Sequence, residues 1–159
     1  MLSVRIICVG KLKEKYWQDA CAEYMKRLGA YCNISVEEIK EARLPANASQ
    51  ADERAVIETE GKALLDKIAK TDYVVALDVR GKEMSSEETA ALIDKAGFDH
   101  STVDFIIGGS LGLSEELKSR AEVKLSFGRI TLPHQLARVV ALEQIYRAFK
   151  INAGETYHK

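Results

Sequence analysis

The sequence FIIGGSLG at residues 105–112 places an apolar strand directly in front of a turn with three glycines. Glycine after a strand is typical of a sharp bend, or of a ligand that approaches the main chain closely. A phosphate-binding loop needs lysine and then serine or threonine at this point, whereas Leu113, Ser114 and Glu115 follow Gly112. The turn therefore indicates either a tight strand-to-helix connection or a ligand held by main-chain groups without a phosphate.

Outward from this turn, strand and helix patterns alternate along the chain. Apolar runs predict strands at SVRIICVG, NISVEEIK, DYVVALDV, STVDFII and EVKLSF, which begin at residues 3, 33, 72, 101 and 122. Amphipathic segments after each strand predict helices, the last from Pro133 to about Phe149. Such alternation predicts one α/β domain over residues 1–159, with a mostly parallel sheet, DYVVALDV near its centre and helices on both faces.

Composition excludes several other classes of protein. The 159 residues are 47% hydrophobic with a net charge of −1, which is enough apolar material for a buried core. No apolar run approaches the roughly 20 residues that cross a bilayer, so we expect a cytoplasmic protein without membrane contact. Cys8, Cys21 and Cys32 lack paired spacing and the histidines are far apart, so we expect buried thiols and no metal site.

Three loops follow the three strands expected at the centre of the sheet: one beginning at Leu77, the glycine turn at 108–112, and FGRITLP at 127–133. We expect them to share one rim, because the carboxyl ends of parallel strands meet at the same edge and ligands bind there. These loops supply apolar side chains and main-chain groups with almost no fixed positive charge. They fit a ligand with an adenine-like ring and little or no phosphate, such as S-adenosyl-L-methionine.

The last predicted helix carries a wide apolar stripe, which either closes the core or docks on a partner. His134 and Arg138 share one face of it. His134 also suits a helix-start histidine that bonds the main chain, and Arg138 suits a solvated face with Glu143 and Arg147. Basic residues outnumber acids seven to three over residues 120–159, which permits local contact with nucleic acid. A near-neutral chain then needs shape, or a larger assembly, for specificity.

Six segments of the chain resemble one known family. They are VGKLKEKYW at 9–17, EYMKRL at 23–28, LDVRGKEMSSE at 77–87, FIIGGSLGL at 105–113, LSFGRITLPHQLARVVALEQIYRAFKI at 125–151 and YHK at 157–159. On these motifs the chain is similar to the bacterial large-subunit ribosomal RNA pseudouridine N3-methyltransferases of the SPOUT class. The resemblance runs from end to end, and it implies a deep carboxyl-terminal trefoil knot, a rare exception to the usual connection rules.

The resemblance also implies a pocket for S-adenosyl-L-methionine in the knot. Its residues carry over as Leu77, Gly108, Phe127, Gly128, Arg129, Ile130, Thr131 and Leu132. Side chains at 128–130 vary in the family, so we expect main-chain contacts there, and Arg129 suits a phosphate or substrate contact equally well. The implied partners are a second copy of the chain, in a homodimer through the knot and last helix, and ribosomal RNA within the assembled ribosome.

The implied reaction moves a methyl group to N3 of a pseudouridine, whose imide proton must leave before the nitrogen attacks well. We expect the tail to lie over the partner's pocket, with His158 as base or phosphate contact and Tyr157 as a stacking or positioning group. A frayed terminus is the alternative. Arg138 is a second candidate, as a charge that faces RNA or the anionic ring. The rival functions are a flavodoxin-like nucleotide-binding protein and a ribosome-associated factor that is not an enzyme.

Overall fold

A computed structural model of the protein describes residues 1–157. In this range the strands are β1 Ser3–Val9, β2 Asn33–Ile39, β3 Tyr73–Glu83, β4 Thr102–Ile107 and β5 Val123–Ser126. The helices are α1 Lys15–Leu28, α2 Gln50–Leu65, α3 Ser86–Asp99, α4 Glu115–Arg120 and α5 His134–Asn152. Strands and helices alternate without interruption, as the sequence predicts.

The strands form one sheet in the order β2-β1-β4-β3-β5, and each pair of neighbours is parallel. The prediction of a mostly parallel sheet is therefore confirmed. The sequence favours DYVVALDV as the central strand, whereas β4, which leads into the glycine turn, is the middle one. β4 is buried from Val103 to Ile107 because helices cover both of its faces.

Two hydrophobic clusters fill the space between the sheet and its helices. Helices α1, α3 and α5 pack on one face, where Leu28, Ile93 and Ile145 are buried. Helices α2 and α4 pack on the other face through Leu64 and Leu117. Full burial of each such side chain contributes roughly 1.5–3 kcal/mol. The predicted helices on both faces are therefore confirmed.

Helix starts gather at the carboxyl edge of the sheet. Ser85 caps α3 and Ser114 caps α4, each accepting a hydrogen bond from a main-chain N–H of the first turn. Helix α5 begins after Pro133 and runs to Asn152, beyond the predicted end at Phe149. Two of the loops expected to bind a ligand lead into α4 and α5, whereas the loop expected to begin at Leu77 is part of β3, which runs on to Glu83. The strand order does not define how the chain is threaded, so the trefoil knot stays a prediction.

The three cysteines are free and buried, as expected. Burial raises the pKa of Cys8 and of Cys32 to about 11, which keeps these thiols protonated and unreactive at neutral pH. Residues 1–157 contain no cluster of three His, Cys, Asp or Glu side chains suited to a metal ion. Within the same range, no helix has the length and apolar character needed to span a membrane.

Candidate functional site

A cavity of about 680 Å³ opens at the carboxyl edge of the sheet, where the three predicted loops meet. One wall is the part of β3 from Leu77 to Arg80, one is the glycine turn after β4, and one is the connection from β5 to α5. A volume of this size suits a ligand as large as a nucleoside with an attached amino acid. Its lining residues are Leu77–Arg80, Ile107–Leu113, Lys118, Leu125, Phe127, Gly128 and Ile130–His134 with Ala137.

The glycine turn is packed too closely to accept a side chain at two of its positions. A Cβ atom at Gly108 would lie 2.9 Å from Leu113 Cδ2 and 3.0 Å from the carbonyl of Gly112. A Cβ atom at Gly109 would lie 2.9 Å from a carboxylate oxygen of Glu60. Gly112 donates to the carbonyl of Gly109 at 3.1 Å and has a φ of +86°, which favours glycine. The turn therefore folds back on itself and presents main-chain groups to the cavity.

Ser126 connects the second half of β3 to the loop after β5. Its hydroxyl lies 2.8 Å from the carbonyl oxygen of Val79 and accepts a hydrogen bond from the N–H of Gly128 at 3.1 Å. Gly128 has a φ of +115°, a conformation that side chains rarely adopt. Ser126 thus holds two walls of the cavity at a fixed separation. This role was not predicted from the sequence.

The structure brings most of the predicted cofactor residues together around this cavity. Leu77, Gly108, Phe127, Gly128, Ile130, Thr131 and Leu132 all line it. Arg129 is exposed and is not among the lining residues, in agreement with the doubt that its side chain is a cofactor ligand. Whether these residues bind S-adenosyl-L-methionine is a proposal, which their convergence supports.

Positive charge is present in the cavity wall, contrary to the expectation of almost none. Lys118 and Arg80 both contribute to the lining. The Lys118 ammonium lies 3.8 Å from a carboxylate oxygen of Asp78, which offsets its charge. Asp78 could have been identified as a cavity residue from the sequence, because it directly follows Leu77 where the buried part of β3 ends.

His134 lies at the edge of the same cavity, beside the turn that follows β1. Its ring carbon Cε1 is 3.8 Å from the place where a Cβ of Gly10 would stand. The sequence also suited a helix-start histidine that bonds the main chain, but the His134 side chain forms no such bond within residues 1–157. The ring instead contributes to the mouth of the cavity.

Arg138 is buried, whereas its predicted role as a charge that faces RNA requires an exposed side chain. It is only 3% exposed and donates to Glu38 at 2.8 Å and to the carbonyl of Gly10 at 3.2 Å. Its Nε atom has no hydrogen-bond partner among residues 1–157. The placement on a solvated face was therefore wrong, because a residue 100 positions away supplies the partner carboxylate. Arg138 ties the start of α5 to the ends of β1 and β2.

Tyr157 packs against α5 of its own chain and is not among the residues that line the cavity. Its hydroxyl donates to Glu143 at 2.9 Å, and Arg147 Cζ lies 4.4 Å from its ring centroid. Burial, and then the hydrogen bond to Glu143, raise the pKa of Tyr157. The phenol is therefore a hydrogen-bond donor at neutral pH. His158 lies outside the described residues, so its predicted role is open.

Glu143 and Arg147 hold this tail and were seen in the sequence only as part of a charged face. The Arg147 guanidinium donates to Glu143 at 2.8 Å across one helical turn. Their i, i+4 spacing was the available signal, but it does not show that a tyrosine 14 residues further on also binds Glu143.

Comparison with known proteins gives the same result for the family and for the fold. The family model described as "Predicted SPOUT methyltransferase" matches residues 2–158. A protein of Oenococcus oeni named "Ribosomal RNA large subunit methyltransferase H" is 52% identical over 160 residues, covering 100% of both chains. A protein of Lactiplantibacillus plantarum with the same name is also 52% identical, over 99% of this chain and 100% of its own.

A solved structure is similar in fold at low sequence identity. It is described as "a probable methylase family protein from Haemophilus influenzae Rd KW20". It superposes with a TM-score of 0.56 and 12% identity, over 98% of this chain and 70% of the other. This likeness supports the α/β architecture alone.

Proposed function

The chain belongs to the SPOUT methyltransferase family, and on that premise we propose that it transfers a methyl group from S-adenosyl-L-methionine to large-subunit ribosomal RNA. Relatives that are about half identical over their whole length carry the name of that activity. The observation that carries the proposal within the structure is the cavity where the second half of β3 meets the loops after β4 and β5.

S-adenosyl-L-methionine fits this cavity in size and in chemistry. Apolar side chains such as Leu77 and Leu132 suit an adenine ring, and main-chain groups of the glycine turn suit its polar edge. The absence of a Cβ at Gly108 allows the turn to close against Leu113 while its main chain stays accessible. When bound, the cofactor supplies an electrophilic methyl group on a sulfonium. Leu77, Gly108 and residues 127–132 would hold it.

The acceptor in this proposal is N3 of a pseudouridine, reached while the RNA is part of the assembled ribosome. This finer assignment comes from the resemblance of the motifs. The imide N–H must lose its proton, so a base, or a donor that stabilises the anion, would accelerate the step. Holding the nitrogen in line with the methyl group would supply much of the remaining acceleration. A chain that works on ribosomes would act in the cytoplasm.

The tail would complete the site in a homodimer. Tyr157 lies away from the cavity of its own chain, so it can reach a cavity only if that cavity belongs to another copy. Its contacts with Glu143 and Arg147 hold it in a defined place at the end of α5. Because the pKa of Tyr157 is raised, we assign it a donor or stacking role and leave the base to His158. Buried Arg138 would act by positioning α5 and not by touching RNA.

Neither rival function is favoured. The chain has no phosphate-binding loop after β1, where a flavodoxin-like protein would need one. A ribosome-associated factor without activity would have no use for the cavity at the carboxyl edge.

The proposal is tested by incubating the purified protein and S-adenosyl-L-methionine with ribosomes from cells that lack this gene. We expect one added methyl group on a pseudouridine of the large-subunit RNA, detected by mass mapping. Protein without residues 157–159 should bind the cofactor normally and fail to methylate. Unmethylated RNA with the intact protein would refute the function, and full methylation by the shortened protein would refute the role of the tail alone.

A further inference from the structure

The basic residues near the carboxyl end are mostly paired within the chain. Counting along the sequence makes residues 120–159 look like the basic surface of the molecule. In the structure, most of these cations already contact carboxylates. The pairs are Arg120 with Glu122, Arg138 with Glu38, Arg147 with Glu143 and Lys150 with Glu155. This segment therefore offers less charge to an RNA than its composition indicates.

The stretch from residue 37 to residue 60, which is acidic by composition, is the counterpart. Four of its seven acids have partners inside the protein, whereas exposed Glu41, Glu53 and Glu58 have no ion-pair or side-chain hydrogen-bond partner within residues 1–157. Glu37 contacts Arg5 and Lys67, Glu38 contacts Arg138, Asp52 forms the capping box of α2, and Glu60 accepts from the N–H of Ala42. Exposed Lys40 and Arg43 are left without an ion pair or hydrogen bond to any residue in 1–157.

The loop after β1 presents two further cations from a fixed position. Gly10 donates to the carbonyl of Ile39 at 2.9 Å and accepts from Arg138, so the base of the loop is held on two sides. Leu12 packs against the core and its carbonyl accepts from Gln18 at 2.7 Å.

With Leu12 turned inward, the side chains of Lys11 and Lys13 are exposed. Neither has an ion-pair or hydrogen-bond partner in the part of the chain that the structure describes. Lys15, by contrast, pairs with Asp19 at 3.0 Å. The loop therefore offers two available positive charges at a defined place.

The sheet order places these four cations beside the methyl-donor cavity. The loops after β2 and β1 precede the glycine turn along the same edge, because β1 is paired with β4. A groove of about 400 Å³ runs between residues 41–44 and Ser110 with Leu111, which also line the cavity. Arg43 lines this groove together with the carboxylates of Glu41 and Glu60. A strand of RNA that enters the cavity from this side would pass Arg43 directly, with the other three cations on the neighbouring loops.

An aromatic residue follows the two lysines closely in the sequence. Tyr16 lies in the first turn of α1 and is 65% exposed. It lies more than 100° around the helix from Cys21 and Leu28, which face the core. Its ring contacts Trp17 edge-on at 5.1 Å, which leaves a face available for a base. Exposed aromatic rings beside cations are typical of surfaces that bind single-stranded nucleic acid.

We propose that Lys11, Lys13, Lys40 and Arg43, with Tyr16, form the surface that grips the RNA strand flanking the methylated nucleotide. We name it the β1–β2 rim. The four cations contact phosphates, and the ring of Tyr16 stacks on an unpaired base. This inference rests on the proposed function, since it specifies how the same site takes hold of its substrate.

The test compares two double variants in methylation of ribosomes at several salt concentrations. Lys11→Ala/Lys13→Ala removes charge from the rim, and Lys70→Ala/Lys95→Ala removes exposed, unpaired charge elsewhere. We expect the rim variant to raise KM for ribosomes about tenfold and to reduce the slope of log affinity against log salt by about 1.4, the value for two phosphates of a single strand. Calorimetric binding of S-adenosyl-L-methionine should be unchanged in both variants.

Equal KM and equal salt slope in the two double variants would overturn the proposal. If the unaltered protein neither binds the donor nor methylates, the proposed function itself fails, and this result is distinct. Tyr16→Ala should raise KM roughly tenfold, while Tyr16→Phe, which keeps the ring, should not. A photo-crosslinker at position 13 should attach to ribosomal RNA; attachment only to a ribosomal protein would contradict the inference.

Discussion

Charged side chains are paired with each other at the amino edge of the sheet, whereas several at the carboxyl edge have no partner within residues 1–157. Near the amino ends of the strands, Arg5 donates to both oxygens of Asp104 and to Asp72, each at 2.8 Å. Asp104 is completely buried there. At the carboxyl edge, glycines present main-chain groups, and Lys11 and Lys13 have no partner within residues 1–157. Charges that hold the fold are thus paired inside it, and charges available to a ligand are left open beside the cavity.

The largest effect is expected from removing Arg5, the cation shared by Asp104 and Asp72 near the amino ends of the strands. Arg5→Ala leaves Asp104 and Asp72 buried without their main partner, so we expect a loss of about 3 kcal/mol or more in the free energy of unfolding at pH 7. Urea denaturation measures it. Arg54→Ala, at an exposed position on α2, should change stability by less than about 0.5 kcal/mol. Similar effects for both variants would mean that the network does not hold the sheet together.

The dependence of the unfolding free energy on pH tests the same network of buried charges. Burial raises the pKa of Asp104 from 3.8 to about 6, with Arg5 opposing the shift and Asp72 adding to it. Between these values the folded chain binds a proton that the unfolded chain lacks. The contribution of Asp104 to stability is therefore present below pH 4 and is lost as pH rises through 6, on the order of 2 kcal/mol. Asp104→Asn should flatten this part of the curve of unfolding free energy against pH, and an unchanged curve would contradict the assignment.

At the carboxyl edge, a methyl group added at Gly108 should weaken donor binding, whereas one added at Gly154 should lower stability and leave donor binding unchanged. Gly108→Ala places a Cβ within 3.0 Å of the Gly112 carbonyl, so the turn must shift. We expect the affinity for S-adenosyl-L-methionine to fall at least tenfold, about 1.4 kcal/mol, in calorimetry. The matched control is Gly154→Ala, which strains a φ of +68° far from the cavity. It should cost about 1 kcal/mol of stability and leave donor affinity unchanged. Equal affinities in both variants would exclude the turn from the binding site.

The last prediction concerns the ion pair between Arg138 and Glu38 at the carboxyl edge of the sheet. Arg138 and Glu38 are 2.8 Å apart, with Arg138 almost fully buried. In a double-mutant cycle with Arg138→Met and Glu38→Gln, we expect a coupling of about 1–2 kcal/mol in the free energy of unfolding. Additive effects would show that the pair does not tie α5 to the sheet.

Much of the architecture was predictable because it depends on local patterns. Apolar runs and helical spacing predicted the alternating elements, and Pro133 predicted where α5 begins. Parallel strands then required the loops after Leu77, Gly108 and Phe127 to share an edge, and they do.

The rest depends on contacts between residues far apart in sequence. Arg138 was expected at the surface because Glu38, its partner, is 100 residues away. The sequence around Lys40 does not show that Glu37 and Glu38 are bound by Arg5, Lys67 and Arg138, which leaves Lys40 without an ion pair. Tyr16 fits the apolar spacing of α1, yet packing on α5 selects a different face of that helix. The position of β4 at the centre of the sheet likewise depends on strand order, which local periodicity does not encode.

A crystal structure of the protein with S-adenosyl-L-methionine tests the central claim most directly. We predict that the cofactor lies against Leu77, Gly108 and residues 127–132, mainly through main-chain hydrogen bonds, with Tyr157 of a second copy over the same cavity. A cofactor bound elsewhere, such as in the groove between α2 and α4, or a cavity that stays empty at saturating cofactor, would contradict the account.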